Sequence, residues 1–342
     1  MKSFFDRKEK FWYAVAEVKA VNLSFAPMEG LSYCEFRRVH ARFFPGVEQY
    51  CAPFLAPDGQ GKVKASARKD LLPGKNKDLR LIPQILCNSA GAFLALSREL
   101  EAMGYKQVDL NAGCPSGTVV PKHKGAGMLL DLNSLDAFLE ELFSHTELSV
   151  SVKTRLGLSG AEEFAAVLEV YNRYPFSELT VHARTRDGLY QSTPDLSAFA
   201  LAMRESRAPV RYNGNILSPV HAEAVRASFP DLERLMIGRG AMANPALFRL
   251  LKGGNKLDKE ELRAFLEELF AAYLAAGIGE HYSINRMKEL WYYVHHMFPG
   301  GDREWRRINK ARTREDYSAA LRDMFASGRF DPDAAFPGAI PK

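Results

Sequence analysis

The stretch that decides the fold covers residues 148–182 and reads LSVSVKTRLGLSGAEEFAAVLEVYNRYPFSELTVH. It begins with an apolar, β-branched run at residues 148–154 and ends with a second one at residues 178–182. Between them, residues 161–172 have the apolar spacing of an amphipathic helix. A strand, a helix and a strand in this order predict a βαβ unit with two parallel strands.

The same alternation extends through most of the chain. Strands are predicted at residues 21–26, 47–54, 81–86, 107–110, 148–154, 178–182, 209–213 and 232–237, and further helices at residues 90–103, 134–144 and 219–228. Eight such repeats predict an α/β fold of the (β/α)8 TIM-barrel type. The main alternative is a doubly wound open sheet, which normally carries a G-x-G-x-x-G turn after its first strand, and the sequence has none there.

The pattern changes near residue 256. From there on, amphipathic stretches such as KLDKEELRAFLEELFAAYLAAG and RMKELWYYVHHMF replace the strand signals. They predict a small C-terminal all-helical domain at residues 256–342, after a catalytic barrel at residues 1–252 with an N-terminal extension at residues 1–20. Residues 252–255, Lys-Gly-Gly-Asn, are predicted to form a flexible hinge, and residues 56–77 a long barrel loop.

Composition excludes several classes of protein. The 342 residues suffice for a barrel of roughly 250 residues and a small second domain. The four cysteines lack the spacing of a zinc site, so neither a disulfide framework nor a metal is expected.

No apolar run approaches the roughly 20 residues of a membrane span, and no signal segment is evident, so we expect a cytoplasmic protein without membrane contact. We also expect a monomer. The net charge of +5 does not by itself indicate nucleic-acid binding.

Polar and glycine-rich residues follow nearly every predicted strand. The carboxyl ends of barrel strands meet at one mouth, where such enzymes have their active sites. In chain order, the candidates are Pro27, Met28, Glu29, Gln84, Asn111, Cys114, Lys153, His182, the turn Asn213-Gly214-Asn215 and the turn Gly238-Arg239-Gly240. The last two turns stand where barrels commonly bind phosphate through backbone N–H groups, and Arg239 adds a positive charge. Together they predict a phosphate-bearing cofactor, although each turn alone is equally typical of an ordinary loop.

Several motifs resemble those of the tRNA-dihydrouridine synthase family. DLNAGCP at residues 109–115 is followed by a Lys/Gly-rich loop and by GAGMLLD. The others are APMEG at 26–30, VKTRLG at 152–157, VHARTRDGLY at 181–190, YNGNI at 212–216 and IGRGAMANP at 237–245. They occur in matching order over nearly the whole barrel, so the set is specific although each motif alone is weak.

The resemblance implies an FMN-dependent enzyme that reduces a uridine of tRNA to 5,6-dihydrouridine. Flavin N5 would deliver hydride to C6 of the uracil while Cys114 donates a proton to C5, with NADPH, or alternatively NADH, as the electron donor. The implied FMN ligands are Pro27, Met28, Glu29, Gln84, Lys153, His182, Asn213, Gly214, Asn215, Gly238 and Arg239. Cys34, Cys51 and Cys87 are interpreted as small buried hydrophobes. Outside the motifs, His182 would be interpreted as a hydrogen-bonded histidine at a strand end, and Lys153 as the partner of a nearby carboxylate.

RNA contacts are predicted at the barrel mouth and in the helical domain. The resemblance implies Asn111 at the uracil edge. Arg184 and Tyr190 are expected in the base pocket, and Lys122 and Lys124 on phosphates. Arg303–Arg314, REWRRINKARTR, interleaves six basic residues with a tryptophan, which favours phosphate contacts. The candidates in that stretch are Arg307 and Lys310. The resemblance adds Arg286 and Lys288, on another helix that the family uses against tRNA. A solvated charged surface is the alternative interpretation.

Three departures from the family pattern leave the RNA target open. Asn215 stands where the commonest pattern has an acidic residue, the loop at residues 56–77 is unusual, and an extra segment precedes the first predicted strand. Neither the reduced uridine nor the choice between tRNA and ribosomal RNA follows from the sequence. Two other functions stay in view: an FMN barrel that acts on a small molecule, like the dihydroorotate dehydrogenases, and an RNA-binding protein without catalysis.

Overall fold

The computed structural model describes residues 21–58, 61–334 and 336–337, and the predicted N-terminal extension lies outside these ranges. The described strands form one parallel sheet. They are β1 (Asn22–Phe25), β2 (Gln49–Cys51), β3 (Leu81–Ile82), β4 (Gln84–Ile85), β5 (Gln107–Ala112), β6 (Ser149–Arg155), β7 (Glu178–His182), β8 (Val210–Asn213) and β9 (Arg234–Ile237).

The sheet curves into a barrel that closes at Pro83. Its strand order is β3-β2-β1-β9-β8-β7-β6-β5-β4, so the two edge strands are consecutive in the chain. Pro83 alone separates them, and its carbonyl accepts a hydrogen bond from the N–H of Asp109 on β5 at 2.8 Å. The predicted (β/α)8 barrel is therefore confirmed, with its third predicted strand split in two. Proline has no N–H to donate, which interrupts the ladder there.

Helices connect the strands and surround the barrel. They are α1 (Cys34–Phe43), α2 (Ala65–Asp70), α3 (Ala90–Ala102), α4 (Leu132–His145), α5 (Phe164–Tyr171), α6 (Leu196–Glu205), α7 (Pro219–Ser228), α8 (Arg239–Ala243) and α9 (Leu247–Leu251). Ser89 and Asp131 begin α3 and α4, because their side chains accept hydrogen bonds from N–H groups of the first turn. None of the helices within the described ranges is long and apolar enough to span a membrane.

The described part of residues 56–77 is more regular than the predicted loop. It contains α2 and a 3-10 turn at Pro73–Lys75. Asp70 ends α2, accepts a hydrogen bond from the N–H of Cys34 at 2.6 Å and pairs with the buried guanidinium of Arg37 at 3.0 Å. These contacts join the segment to α1, more than thirty residues earlier in the chain, and no local pattern predicts them.

The C-terminal part consists of α10 (Lys259–Ala275), α11 (Glu280–Val294), α12 (Asp302–Lys310) and α13 (Arg314–Ser327). The ring of Phe265 on α10 packs against Phe44 at the end of α1, with centroids 5.0 Å apart, and α11 contacts α8 beside the barrel mouth. At the predicted hinge, the Lys252 ammonium donates to the Val21 carbonyl at 2.6 Å. The connection is thus tied to the barrel, and its role as a flexible domain boundary stays a prediction.

Candidate active site

A pocket of about 290 Å³ opens at the barrel mouth, among the residues that follow the strands. Its volume is at the lower end of the range for cofactor and ligand sites. The pocket brings together Cys114, Asn111, Tyr190 and ten of the eleven predicted FMN ligands: Pro27, Met28, Glu29, Gln84, Lys153, His182, Asn213, Gly214, Gly238 and Arg239. The eleventh, Asn215, does not line the described pocket, but its side-chain oxygen accepts a hydrogen bond from the Arg239 guanidinium at 2.8 Å.

Six lining residues were not predicted from the sequence: Ala26, Pro53, Phe54, Gly113, Pro115 and Arg155. The sequence contains a signal for three of them, Arg155, Pro53 and Phe54. Arg155 follows Lys153 by two residues on β6, and alternate residues of a strand face the same side. Pro53 and Phe54 follow β2, a strand end from which no candidate had been taken.

Contacts on several sides hold the loop that carries Cys114. The Asn111 side-chain oxygen accepts hydrogen bonds from the N–H groups of Gly113 at 3.1 Å and Cys114 at 2.9 Å. The Arg155 Nε donates to the Gly113 carbonyl at 2.8 Å. Gly125, with φ +58°, packs so closely that a Cβ there would lie 2.9 Å from the Cys114 Cβ. The cysteine is therefore fixed at the pocket wall, half-buried.

Burial also keeps the Cys114 thiol protonated. It raises the pKa of Cys114 above the ordinary thiol value, although Arg155 and Lys153 act in the opposite direction. A protonated thiol in the pocket wall can serve as a general acid, and the two cations would stabilise the thiolate left behind. The other three cysteines, Cys34, Cys51 and Cys87, are buried away from the pocket.

Lys153 and His182 have perturbed pKa values in the same wall. Burial lowers the pKa of Lys153 to about 8, and nearby Arg155 acts in the same direction. Burial, with Arg155 and Lys153 next in importance, lowers the pKa of His182 well below 6.5, so the imidazole is neutral. The Arg184 Nη1 lies 3.2 Å from His182 Nε2. Because guanidinium only donates, Nε2 accepts, and the imidazole proton resides on Nδ1.

Positive charge accumulates around this wall. Arg184 is 2% exposed, and its Nη2 has no hydrogen-bond partner among the described residues. The Arg239 guanidinium lies 4.1 Å from the centre of the Tyr190 ring. The neighbouring glycine turns are packed too tightly for a side chain, since a Cβ on Gly214 would lie 2.1 Å from the Tyr212 hydroxyl oxygen. The Arg239 guanidinium, in the pocket wall with these glycine turns, suits a bound anion such as phosphate.

The predicted RNA-contact residues fall into two groups. Asn111 and Tyr190 line the pocket, and Lys122 and Lys310 are exposed. The others make contacts within the protein or are partly buried: Arg184 contacts His182, Lys124 donates to Pro57, Arg286 donates to Gly30, Arg307 pairs with Asp323, and Lys288 is half-buried. Sequence alone does not separate the two groups, because both are rich in basic residues.

A half-buried thiol and several cations line one pocket at the carboxyl ends of the parallel barrel strands. The fold and this pocket define the class of protein as a (β/α)8-barrel enzyme.

Comparisons with known proteins identify the family. Residues 24–326 match the family model described as dihydrouridine synthase (Dus), and the chain belongs to this family. A tRNA-dihydrouridine synthase B of Pseudomonas putida is 27% identical over 319 residues, covering 90% of this chain and 92% of that protein. A probable tRNA-dihydrouridine synthase of Rickettsia conorii is 30% identical over 234 residues, covering 66% of this chain and 68% of that protein.

A solved structure of a 2-naphthoyl-CoA reductase in complex with 2-naphthoyl-CoA has a related fold. The TM-score is 0.53 at 12% sequence identity, over 68% of this chain. The matched part spans half the length of that reductase chain. At this identity, the likeness concerns the barrel fold alone.

Proposed function

We propose that this chain reduces a uridine of tRNA to 5,6-dihydrouridine, with FMN as its cofactor and NADPH as the electron donor. Membership of the dihydrouridine synthase family supports the reaction, and the tRNA-modifying relatives support the substrate. The observation that carries the proposal is the placement of Cys114, held by Asn111 and Arg155 in the pocket wall.

The pocket fits FMN by the chemistry of its donors. Arg239 and the backbone of the turns at Gly214 and Gly238, all in the pocket wall, suit a phosphate. The Nδ1–H of neutral His182 is available as a further donor. When bound, FMN supplies the hydride that a carbon–carbon double bond takes up.

Cys114 would complete the reduction. Saturation of the 5,6 double bond requires a proton on the carbon next to the one that takes up hydride, and the two donors must approach a fixed base. The raised pKa of Cys114 retains that proton until the substrate arrives. Lys153 and Arg155 lie close enough to stabilise the thiolate after transfer.

The uridine must leave the RNA stack to enter the pocket. Flipping a base outward costs a few kcal/mol, roughly, for lost stacking. Phosphate contacts from exposed cations would offset that cost, and Lys122 beside the Cys114 loop and Lys310 on α12 are exposed in the structure. Tyr190 offers an aromatic ring at the pocket for the flipped base.

The test is RNA-dependent NADPH oxidation by the purified protein, followed by mass spectrometry of the RNA nucleosides. We expect a yellow protein whose NADPH oxidation accelerates with unmodified tRNA and yields dihydrouridine at one position. Oxidation that depends on a small molecule instead of RNA would favour a dihydroorotate-dehydrogenase-like activity. RNA binding without a flavin spectrum would favour a binding protein, and either result contradicts the proposal.

A further inference from the structure

A line of hydrogen bonds runs from the barrel interior to the Cys114 loop. Asp109 on β5 accepts hydrogen bonds from Ser151 Oγ and Gln84 Nε2, both at 2.7 Å. Gln84 Oε1 accepts one from Asn111 Nδ2 at 2.7 Å. Asn111 Oδ1 then accepts one from the N–H of Cys114 at 2.9 Å. Gln84 on β4 thus connects Asp109 on β5 with Asn111 and, through it, with the Cys114 loop.

The direction of this line depends on Asp109. An ionised carboxylate only accepts hydrogen bonds, so Gln84 must turn its NH2 group toward Asp109 and its oxygen toward Asn111. Asn111 must then turn its NH2 group toward Gln84, which leaves its oxygen for the N–H of Cys114. If both amides flipped, Asn111 would present a donor to the donor of Cys114. Asp109, Gln84 and Asn111 are buried, so an unmade hydrogen bond in this line is costly.

We propose that Asp109 is a positioning residue: it fixes the amides of Gln84 and Asn111, and through them the backbone that presents Cys114 to the substrate. Asp109 is absent from the residues that line the described pocket, so it acts without touching the uracil. The inference rests on the proposed function, because it concerns delivery of the Cys114 proton.

Asp109 is also a buried group that can change its charge. Burial raises its pKa to about 6, although hydrogen bonds from its two side-chain neighbours lower it. Lys153 on β6 lowers this pKa further, Glu178 on β7 raises it, and the Cys51 thiol on β2 also interacts with the carboxylate. A protonated Asp109 gains an O–H donor, and the amide directions are then no longer fixed. Proton delivery by Cys114 should therefore fail as the pH falls through about 6.

The first experiment follows single turnovers of the NADPH-reduced holoenzyme with saturating tRNA transcript, between about pH 5 and about pH 8. In Asp109→Asn, the side chain keeps its size but can present either an oxygen or an NH2 group to Gln84. We expect its rate at neutral pH to fall about ten- to a hundredfold, as for a misplaced catalytic group, and the acid limb of the pH profile to disappear.

Ser151→Ala is the matched control variant. Ser151 also donates to Asp109, but it lies off the path to Cys114. Its hydrogen bond lowers the pKa of Asp109, so its removal should move the acid limb to higher pH and leave the maximal rate, on the plateau above that limb, unchanged. A purely structural role for Asp109 would produce no such shift. This variant also keeps the test decisive if Asp109→Asn fails to fold.

A second experiment measures alkylation of Cys114 by iodoacetamide, without RNA, using peptide mass spectrometry. Asp109→Asn should change the rate several-fold, and Ser151→Ala should not. An Asp109→Asn enzyme with the wild-type acid limb and alkylation rate overturns the proposal. If Asp109→Asn slows flavin reduction by NADPH as much as it slows RNA reduction, and leaves alkylation unchanged, the proposal is also overturned. Asp109 would then act by balancing the charge of Lys153. If the wild-type enzyme makes no dihydrouridine, the proposed function fails, while alkylation still tests the line.

Discussion

Replacement of Arg239 by alanine should release the flavin. Arg239 donates to Asn215 at 2.8 Å and stacks on Tyr190 at 4.1 Å, so its guanidinium is held beside the glycine turns. A charge-assisted hydrogen bond to phosphate contributes roughly 1.5–3 kcal/mol, so its loss should weaken FMN binding about ten- to a hundredfold. The remaining cation nearby, Arg184, should keep the loss from being complete. Arg239→Lys retains the positive charge but lacks the planar guanidinium that can make two parallel hydrogen bonds, so its affinity for FMN should be intermediate.

The assay is FMN dissociation followed by flavin fluorescence, with circular dichroism to verify folding. Arg306→Ala is the control, because Arg306 is exposed on α12 and should leave dissociation unchanged. Gly214→Val is a poor probe, since a Cβ there would collide with the Tyr212 hydroxyl within the protein. Wild-type flavin retention in Arg239→Ala would refute the phosphate assignment.

Three further predictions concern the acid, the RNA surface and stability. Cys114→Ala should bind FMN and consume NADPH in the first half-reaction, but form dihydrouridine at least about a hundredfold more slowly, as rapid-mixing kinetics with nucleoside mass spectrometry would reveal. Replacing Arg306, Arg307 and Lys310 with Ala should weaken tRNA binding and lower its salt dependence by a slope of about 0.7 to 0.9 per lost contact, measured by filter binding at several salt concentrations. The pKa of Asp109 is higher in the folded protein than in the unfolded chain, so ionisation of Asp109 destabilises the wild type as the pH rises. Asp109→Asn has no such carboxylate, so its free energy of unfolding relative to that of the wild type should rise between about pH 4 and about pH 7. Urea titrations of both proteins measure this difference.

The strand pattern of the sequence was sufficient for the barrel. Each predicted strand is an apolar run of the right length, and the alternation with helices does not depend on distant residues. The proline at position 83 is visible in the sequence. Its position between the two edge strands depends on the pairing of β3 with β2 and of β4 with β5, which no local pattern predicts. The helix α2 was missed because Asp70 is held by Cys34 and Arg37, which are distant in the chain.

The site followed from the rule that barrel strands end at one mouth. That rule located ten of the predicted FMN ligands in the pocket wall, although their individual roles stay predictions. It did not separate an exposed cation from a buried one. The guanidinium of Arg286, a predicted RNA contact, donates to the Gly30 carbonyl at 2.7 Å and lies over the Tyr33 ring, so its role toward RNA stays a prediction. Such contacts join elements distant in sequence and leave no periodic signal.

The central claim is that this chain reduces uridine in tRNA through Cys114. The most direct measurement is quantitative mass spectrometry of nucleosides and mapped fragments of tRNA and ribosomal RNA from cells that carry the gene, lack it, or carry Cys114→Ala in its place. Loss of dihydrouridine at one tRNA position in the deletion strain, restored by the wild-type gene and not by the variant, is the predicted result. Unchanged dihydrouridine in every RNA, with purified enzyme also inactive on unmodified tRNA, would contradict the claim.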